Sequence, residues 1–198
     1  LKAEGIQTPA YTCLERKGMQ TECGSYRIPA VVKPVDSGSS VDTVIAFHSL
    51  QLLNAAHRLL RKYGRCLIEE YISGPELTVG VLGDDALGPL EIRPRRGFYD
   101  YQAKYIDDNT EYLFDVDLPA ELLERVRVDS LRVHRLLGCR DFSRIDWMVD
   151  RRSGLAYCLE ANTIPGFTSH SLLPKMAAEA GLDFPAFCQR IVDLAMQR

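Results

Sequence analysis

The sequence predicts an α+β protein of two subdomains, residues 1–72 and 73–198, and three observations lead there. Residues 28–64 read as strand, loop, strand and helix. Residues 65–71 and 76–82 are two further apolar runs of strand length, and Ile72-Ser73-Gly74 between them has the composition of a hinge. Residues 143–162 have the pattern of a β-hairpin: two alternating runs about the turn-like Asp150-Arg151-Arg152-Ser153-Gly154, with helical patterns after them.

Residues 1–25, punctuated by Gly5, Pro9, Gly18 and Gly24, read as loop with a short strand at 10–14. The run 28–32 is a buried strand that delivers Lys33-Pro34 at its end. A small-residue loop, 35–40, separates it from a strand over 41–47. Ser49 is placed to cap a helix in which Leu52, Leu53, Ala56, Leu59, Leu60 and Tyr63 share a stripe, and Gly64 stops it in a solvated basic end. Residues 83–118 read as irregular, with Arg93, Arg95, Arg96 and the tyrosine-rich tract 98–105; a loop of that length is more often functional than idle. Pro119 opens a helix with Leu122, Leu123, Val126, Ser130, Val133 and Leu137 on one side, on which His134 is a surface residue without a role. A short helix follows Ser171. The last helix is capped by Asp183 and carries Phe184, Phe187, Ile191, Leu194 and Ala195 on one face.

Composition narrows the function. The 198 residues are 46% hydrophobic and 26% charged, as in an ordinary globular protein. A net charge of -3 lacks the basic footprint that nucleic-acid or membrane-surface binding needs, so any phosphate bound is expected to belong to a small molecule. The six cysteines form no CxxC pair and read as reduced, packed thiols of a cytosolic protein. The chain opens at Leu1, and LKAEG reads as the end of a helix, so further residues upstream are expected.

The chemistry gathers on the hairpin. Alternation puts Arg144, Asp146 and Met148 on one face of its first strand, and Ala156, Cys158, Glu160 and Asn162 on one face of its second. Folding about Arg152 sets Glu160 opposite Arg144, with Asp146 one diagonal away. Two carboxylates and an amide oxygen so close suit a hard divalent cation, and Mg²⁺ carrying a nucleotide phosphate fits best. The loop 163–171 adds backbone donors and hydroxyls of the kind that position ligands. Upstream, Lys33 leaves its strand just before the amides of Gly38-Ser39-Ser40, an arrangement phosphates favour, although it is not a Walker A motif. Glu69-Glu70-Tyr71-Ile72 offers strand-edge backbone groups and an acid, as an adenine pocket requires; a plain strand end is the simpler alternative.

In this order the motifs resemble the D-alanine:D-alanine ligases of the ATP-grasp superfamily. They are Val32-Lys33-Pro34 with Gly38-Ser39-Ser40, the run 69–76, Phe98-Tyr99-Asp100-Tyr101 with Ala103-Lys104-Tyr105, Arg144-Ile145-Asp146, and Glu160-Ala161-Asn162-Thr163 with Pro165-Gly166-Phe167-Thr168-Ser169. The resemblance implies an ATP-grasp fold whose two α+β subdomains clasp ATP, and the ATP-dependent joining of two D-alanines through a D-alanyl phosphate, for peptidoglycan precursors in a bacterial cytoplasm. By the same resemblance Lys33 and Lys104 hold the ATP phosphates. Glu69 and the backbone of Glu70, Tyr71 and Ile72 grip the adenine, and Glu76 binds the ribose. Asp146, Glu160 and Asn162 hold two Mg²⁺ ions, a role Mn²⁺ can fill. Arg144 faces the transferred phosphoryl group. Ser39 and Tyr105 orient substrate, while Gly166, Ser171 and Leu172 receive the second alanine's carboxylate. The only partners implied are ATP and D-alanine, with neither nucleic acid nor membrane, and there is room for a homodimer in the full-length protein.

Three departures stand out. Asp42 replaces the family's usual Gly and puts an acid near the expected triphosphate, Gln102 replaces a usual Glu, and the family's N-terminal domain is absent from these residues. Two rival readings follow: another ATP-grasp carboxylate–amine ligase, or a shortened, non-catalytic nucleotide-binding module.

Overall fold

The computed structural model describes residues 1–16, 26–38, 40–94, 110–168 and 171–197. Pro9–Ile72 form one compact unit, to which Pro94 and Thr110 also belong, while Leu1–Thr8, Ser73–Arg93 and Glu111–Arg198 form the other. The opening residues therefore go with the later part of the chain, not with the first subdomain of the sequence reading.

In the smaller unit the described strands are β1 (Tyr11–Glu15), β2 (Ala30–Pro34), β3 (Val44–Ala46) and β4 (Arg65–Glu70), joined antiparallel in the order β1-β4-β2-β3. Ala30, Val32, Cys66 and Ile68 alternate onto one face and bury Leu52, Ala55, Ala56, Leu59 and Leu60 of α1 (Ser49–Tyr63). The other face carries Val31, Lys33, Leu67 and Glu69. Helix α1 begins one residue earlier than a Ser49 cap requires: His48 holds the cap position, and Gln51 Oε1 instead accepts the Phe47 amide at 3.0 Å. The strand expected over 41–47 is shortened because Val41 and Asp42 lie in turns, with Val41 N donating to Gly38 O and Thr43 N to Ser40 O. Asp42 sits at φ +60°, a left-handed conformation that Gly adopts freely and Asp tolerates. Its carboxylate does not stand free toward a phosphate, as expected, but accepts from Lys62 Nζ at 2.7 Å and Tyr63 Oη at 2.6 Å on α1.

The larger unit is built on β5 (Glu76–Leu82). Along one edge it pairs with β9 (Phe142–Val149), and along the other with β6 (Asp85–Ala86) and β7 (Leu90–Pro94). The hairpin partner β10 (Ala156–Asn162) pairs with β9, and β8 (Thr110–Leu113) lies beyond β7. Strands β6 to β8 overturn the irregular reading of 83–118. Leu90-Glu91-Ile92-Arg93 does alternate, but these strands are too short to stand out without the long β5 that β6 and β7 pair with.

One face of this sheet is apolar. Leu77, Val79, Val81, Ile145, Trp147, Val149 and Cys158 bury against Val126 and Val133 of α2 (Ala120–Leu136). The stripe expected on α2 is observed from Leu122 to Val133, with Val126, Ser130 and Val133 buried and Leu122 and Leu123 packed against the same core, but Leu137 is exposed beyond the helix end, and His134 is buried rather than on the surface. His134 Nδ1 meets Ser143 Oγ at 2.7 Å, while Trp147 Nε1 donates to Ser130 Oγ at 2.9 Å. Burial is tolerable for each because each finds a partner.

On the opposite face α3 (Leu172–Glu179) packs over β5, with Leu173, Met176 and Ala177 buried. Helix α4 (Phe184–Met196) follows with Asp183 capping it, its side chain accepting from Ala186 N at 2.9 Å, as expected. Of the face expected on α4, Phe187 is fully buried, whereas Phe184 and Ala195 remain exposed. Ser73 of the expected hinge is fastened through its carbonyl, which accepts from Arg151 N at 3.0 Å, and just after the hinge Pro75 O accepts from Val149 N at 2.9 Å. Cys66 and Cys158 are buried thiols, but Cys13 is exposed, against expectation. Among the described residues no helix is long and apolar enough to cross a membrane.

Candidate functional site

The face of the large sheet that α2 does not cover carries two rows of side chains across three strands. Thr78 pairs with Asp146, which pairs with Glu160; Gly80 pairs with Arg144, which pairs with Asn162. This differs from the expected register, where Glu160 faced Arg144. The register is already one residue off at the turn, where Ala156 pairs with Val149 rather than Met148, and a β-bulge in β10 between Cys158 and Glu160, where Leu159 has no partner on β9, adds a second. Because strand side chains alternate strictly, the extra residue reverses the phase. Cys158 and Ala156 go to the α2 side with the core, and Glu160 and Asn162 to the other. Ala156 and Cys158 therefore do not share a face with Glu160 and Asn162, as simple alternation had it.

The bulge assembles a dense polar cluster. Asp146, only 3% exposed, accepts at Oδ1 from Thr78 Oγ1 (2.6 Å) and Arg144 Nε (2.9 Å), and at Oδ2 from Arg144 Nη2 (2.8 Å) and Asn162 Nδ2 (2.9 Å). The guanidinium grips both oxygens and compensates a buried charge that would otherwise be costly. Asn162 Nδ2 also lies 3.5 Å from Glu160 Oε1, so one amide nitrogen stands between an oxygen of each carboxylate. A divalent cation of the hard type fits this donor set. Among the described residues no group of three or more His, Cys, Asp and Glu is arranged for a metal. Two carboxylates and an amide suit instead a cation that completes its oxygens from a phosphate ligand, as Mg²⁺ commonly does.

Glu76 lies on the same face of β5, opposite Met148 on one side and Ile92 on the other. The loop after β10 is drawn in by Gly166, where a Cβ would stand 2.6 Å from Ser171 Oγ. That hydroxyl accepts from Thr168 N at 3.1 Å and bonds Thr168 Oγ1 at 2.9 Å, so it ties the loop instead of capping α3. The Leu172 side chain is buried in the core, which leaves its amide, among the first of α3, as the part that could meet a carboxylate.

In the smaller unit Lys33 and Glu69 sit on the face away from α1 as a diagonal pair, Lys33 opposite Leu67 and Glu69 opposite Val31, with Nζ 2.8 Å from Oε2. The expected phosphate lysine and adenine-side acid are thus each other's partners here. Glu70 is exposed and its amide donates to Ala10 O, Tyr71 stacks edge-on with Phe47, and Ile72 is buried. Ser39, Lys104 and Tyr105 lie outside the described residues. The sequence reading missed Thr78; its signal is a hydroxyl two positions after Glu76 on the same strand face, visible once Asp146 is known to lie opposite.

The family model for the D-ala D-ala ligase C-terminus matches residues 1–193. The chain belongs to that family. The D-alanine–D-alanine ligase of Xanthomonas axonopodis pv. citri (strain 306) is 41% identical over 193 residues, covering 96% of this chain and 60% of the relative. A crystal structure of the D-alanine–D-alanine ligase from Bacillus anthracis aligns with a TM-score of 0.83 at 35% identity, over 100% of this chain and 64% of that one. A second, complexed with ATP, aligns at 0.81 and 30% identity, over 100% and 63%. The D-ala D-ala ligase relatives are therefore longer, and this chain spans somewhat under two thirds of them. The ATP-grasp fold expected from the motifs is the fold observed.

Proposed function

We propose that this chain is the nucleotide- and metal-handling part of a bacterial D-alanine–D-alanine ligase. The reading is carried by one observation: the bulged hairpin sets Asp146, Glu160, Asn162 and Arg144 on one sheet face, in a chain that is 41% identical to such a ligase. A carboxylate is a poor electrophile. ATP would therefore phosphorylate D-alanine on its carboxylate, and the amine of a second D-alanine would displace phosphate from the acyl carbon. Nothing in this scheme needs a nucleophilic side chain, and catalysis is positioning plus electrostatics.

Within the scheme Lys33, released from Glu69, and Lys104 meet ATP phosphates. Glu69, the backbone of Glu70 to Ile72, and Glu76 hold the nucleoside. Arg144 turns from Asp146 toward the transferring phosphoryl and the tetrahedral oxyanion. Ser39 and Tyr105 orient the amino acids, and Gly166, Ser171 and the Leu172 amide receive the second carboxylate. Mg²⁺ held by the oxygens of Asp146, Glu160 and Asn162 would neutralise phosphate charge. Two such ions, Mn²⁺ as a substitute, a cytoplasmic setting and a homodimeric full-length enzyme belong to the same proposal.

The test is phosphate release from Mg·ATP by the full-length protein on adding D-alanine, with L-alanine as control. Release with the D-isomer alone is expected. Equal release with both isomers, or none, overturns the D-alanine reading.

A further inference from the structure

We propose that Thr78 is a positioning residue for the cation site: its hydroxyl anchors Oδ1 of Asp146 and so commits Oδ2 to the side of Glu160 and Asn162. The inference rests on the cation reading above and adds a residue to it. Thr78 is fully buried and stands directly across the ladder from Asp146, with Glu160 directly across on the other side. The three side chains form one row over β5, β9 and β10, spaced by the interstrand distance of about 4.8 Å.

Thr78 Oγ1 has a single proton to give. It lies 2.6 Å from Asp146 Oδ1 and 3.5 Å from Ile145 O, so the carboxylate receives it. The two carboxylate oxygens are therefore differently employed. Oδ1 is held from the β5 side by Thr78 and by Arg144 Nε. Oδ2 is turned toward β10, where Asn162 Nδ2 stands 2.9 Å away. Arg144 reaches both oxygens and is the group expected to leave for substrate. Asn162 is itself a proposed ligand. Among the described residues that donate to Asp146, Thr78 takes no other part in the proposed mechanism, and it is fully buried. A carboxylate fixed in this way offers a cation one oxygen in one direction. That suits Mg²⁺, which demands near-octahedral single-oxygen contacts, and disfavours larger cations that take both oxygens of a freely turning carboxylate.

The expected consequence is a change in cation affinity and preference, not merely in stability. Mn²⁺ binding to the full-length protein with ADP, followed by electron paramagnetic resonance and competed by Mg²⁺ or Ca²⁺, reads both. Thr78→Val keeps the shape and removes the hydroxyl; cation binding should weaken about tenfold or more, as for other groups that orient metal ligands, and the preference for Mg²⁺ over Ca²⁺ should shrink. Thr78→Ser restores the donor and should stay within about threefold of the parent, far inside the loss just given. If Thr78→Val does not fold, Thr78→Cys, of similar size but a weak donor, takes its place with the same expected direction. Glu160→Gln is the control for the site itself. If it abolishes Mn²⁺ binding while the hydroxyl-free variant keeps parental affinity and Mg²⁺ preference, the role of Thr78 is refuted and the site stands. If Glu160→Gln changes nothing, the cation reading falls and this proposal with it.

Discussion

At the scale of single residues, His134 makes a sharp statement about pH. Burial pushes its imidazole below the usual value, and neighbouring Arg135 adds to the depression. The unfolded chain takes up the proton near pH 6.5, while the folded chain resists it until lower pH. Stability should therefore be complete above about 6.5 and fall as pH drops below it. Urea denaturation at pH 7.5 and 5 should show this fall, and His134→Gln, which keeps a polar partner for Ser143, should flatten it. An unchanged slope would place the acid sensitivity elsewhere. Asp42 shows why a residue can mislead when read alone. As a departure from a family glycine it looked like a charge beside a phosphate, yet its carboxyl is held below the usual range first by Lys62 and then by Tyr63. The left-handed backbone at Asp42 is a conformation that Asp tolerates.

At the scale of elements, the connection into β5 is the least forgiving stretch. A Cβ on Gly74 would stand 1.8 Å from the carbonyl oxygen of Val149, a backbone atom that cannot swing aside. Gly74→Ala should lose about 1–3 kcal/mol or more in urea denaturation. Gly88→Ala, where nothing lies within 4 Å, should stay within about 0.5 kcal/mol. Equal effects at both positions would refute this. The same elements mark what was legible in the sequence. Strands with their own alternation, such as β5, β9 and β10, and helices with apolar stripes, α1 and most of α2, could be read from the chain. What could not be read depended on partners. The strands within 83–118 exist because β5 is there for β6 and β7 to pair with, and β7 for β8. The burial of His134 on α2 depends on its finding Ser143 on β9. The site residues Arg144, Asp146, Glu160 and Asn162 were legible as a cluster, but their pairing was not. A bulge leaves no mark on an alternating sequence, and here it decides which residues face which.

For the whole molecule, the proposed activity draws on both compact units, with Lys33 in one and Glu160 in the other. Lys33→Ala and Glu160→Ala should each reduce D-alanine-dependent phosphate release by about 100-fold or more, a loss of charge stabilisation at a transferring phosphoryl group. Near-normal turnover in either variant would remove that residue from the mechanism. Checking that such variants still fold is simplified by Trp147, the only tryptophan of the chain. Its indole is 2% exposed and bonded to Ser130 inside the core, while its neighbour Asp146 points to the opposite face of the same strand. Intrinsic emission from this chain is thus a one-lamp signal placed a single peptide bond behind the proposed cation ligand. A blue-shifted spectrum in an inactive variant would report that the sheet beneath the chemistry is intact. A small change in that spectrum on adding Mn²⁺ would be the ligand's own neighbour answering from the dry side.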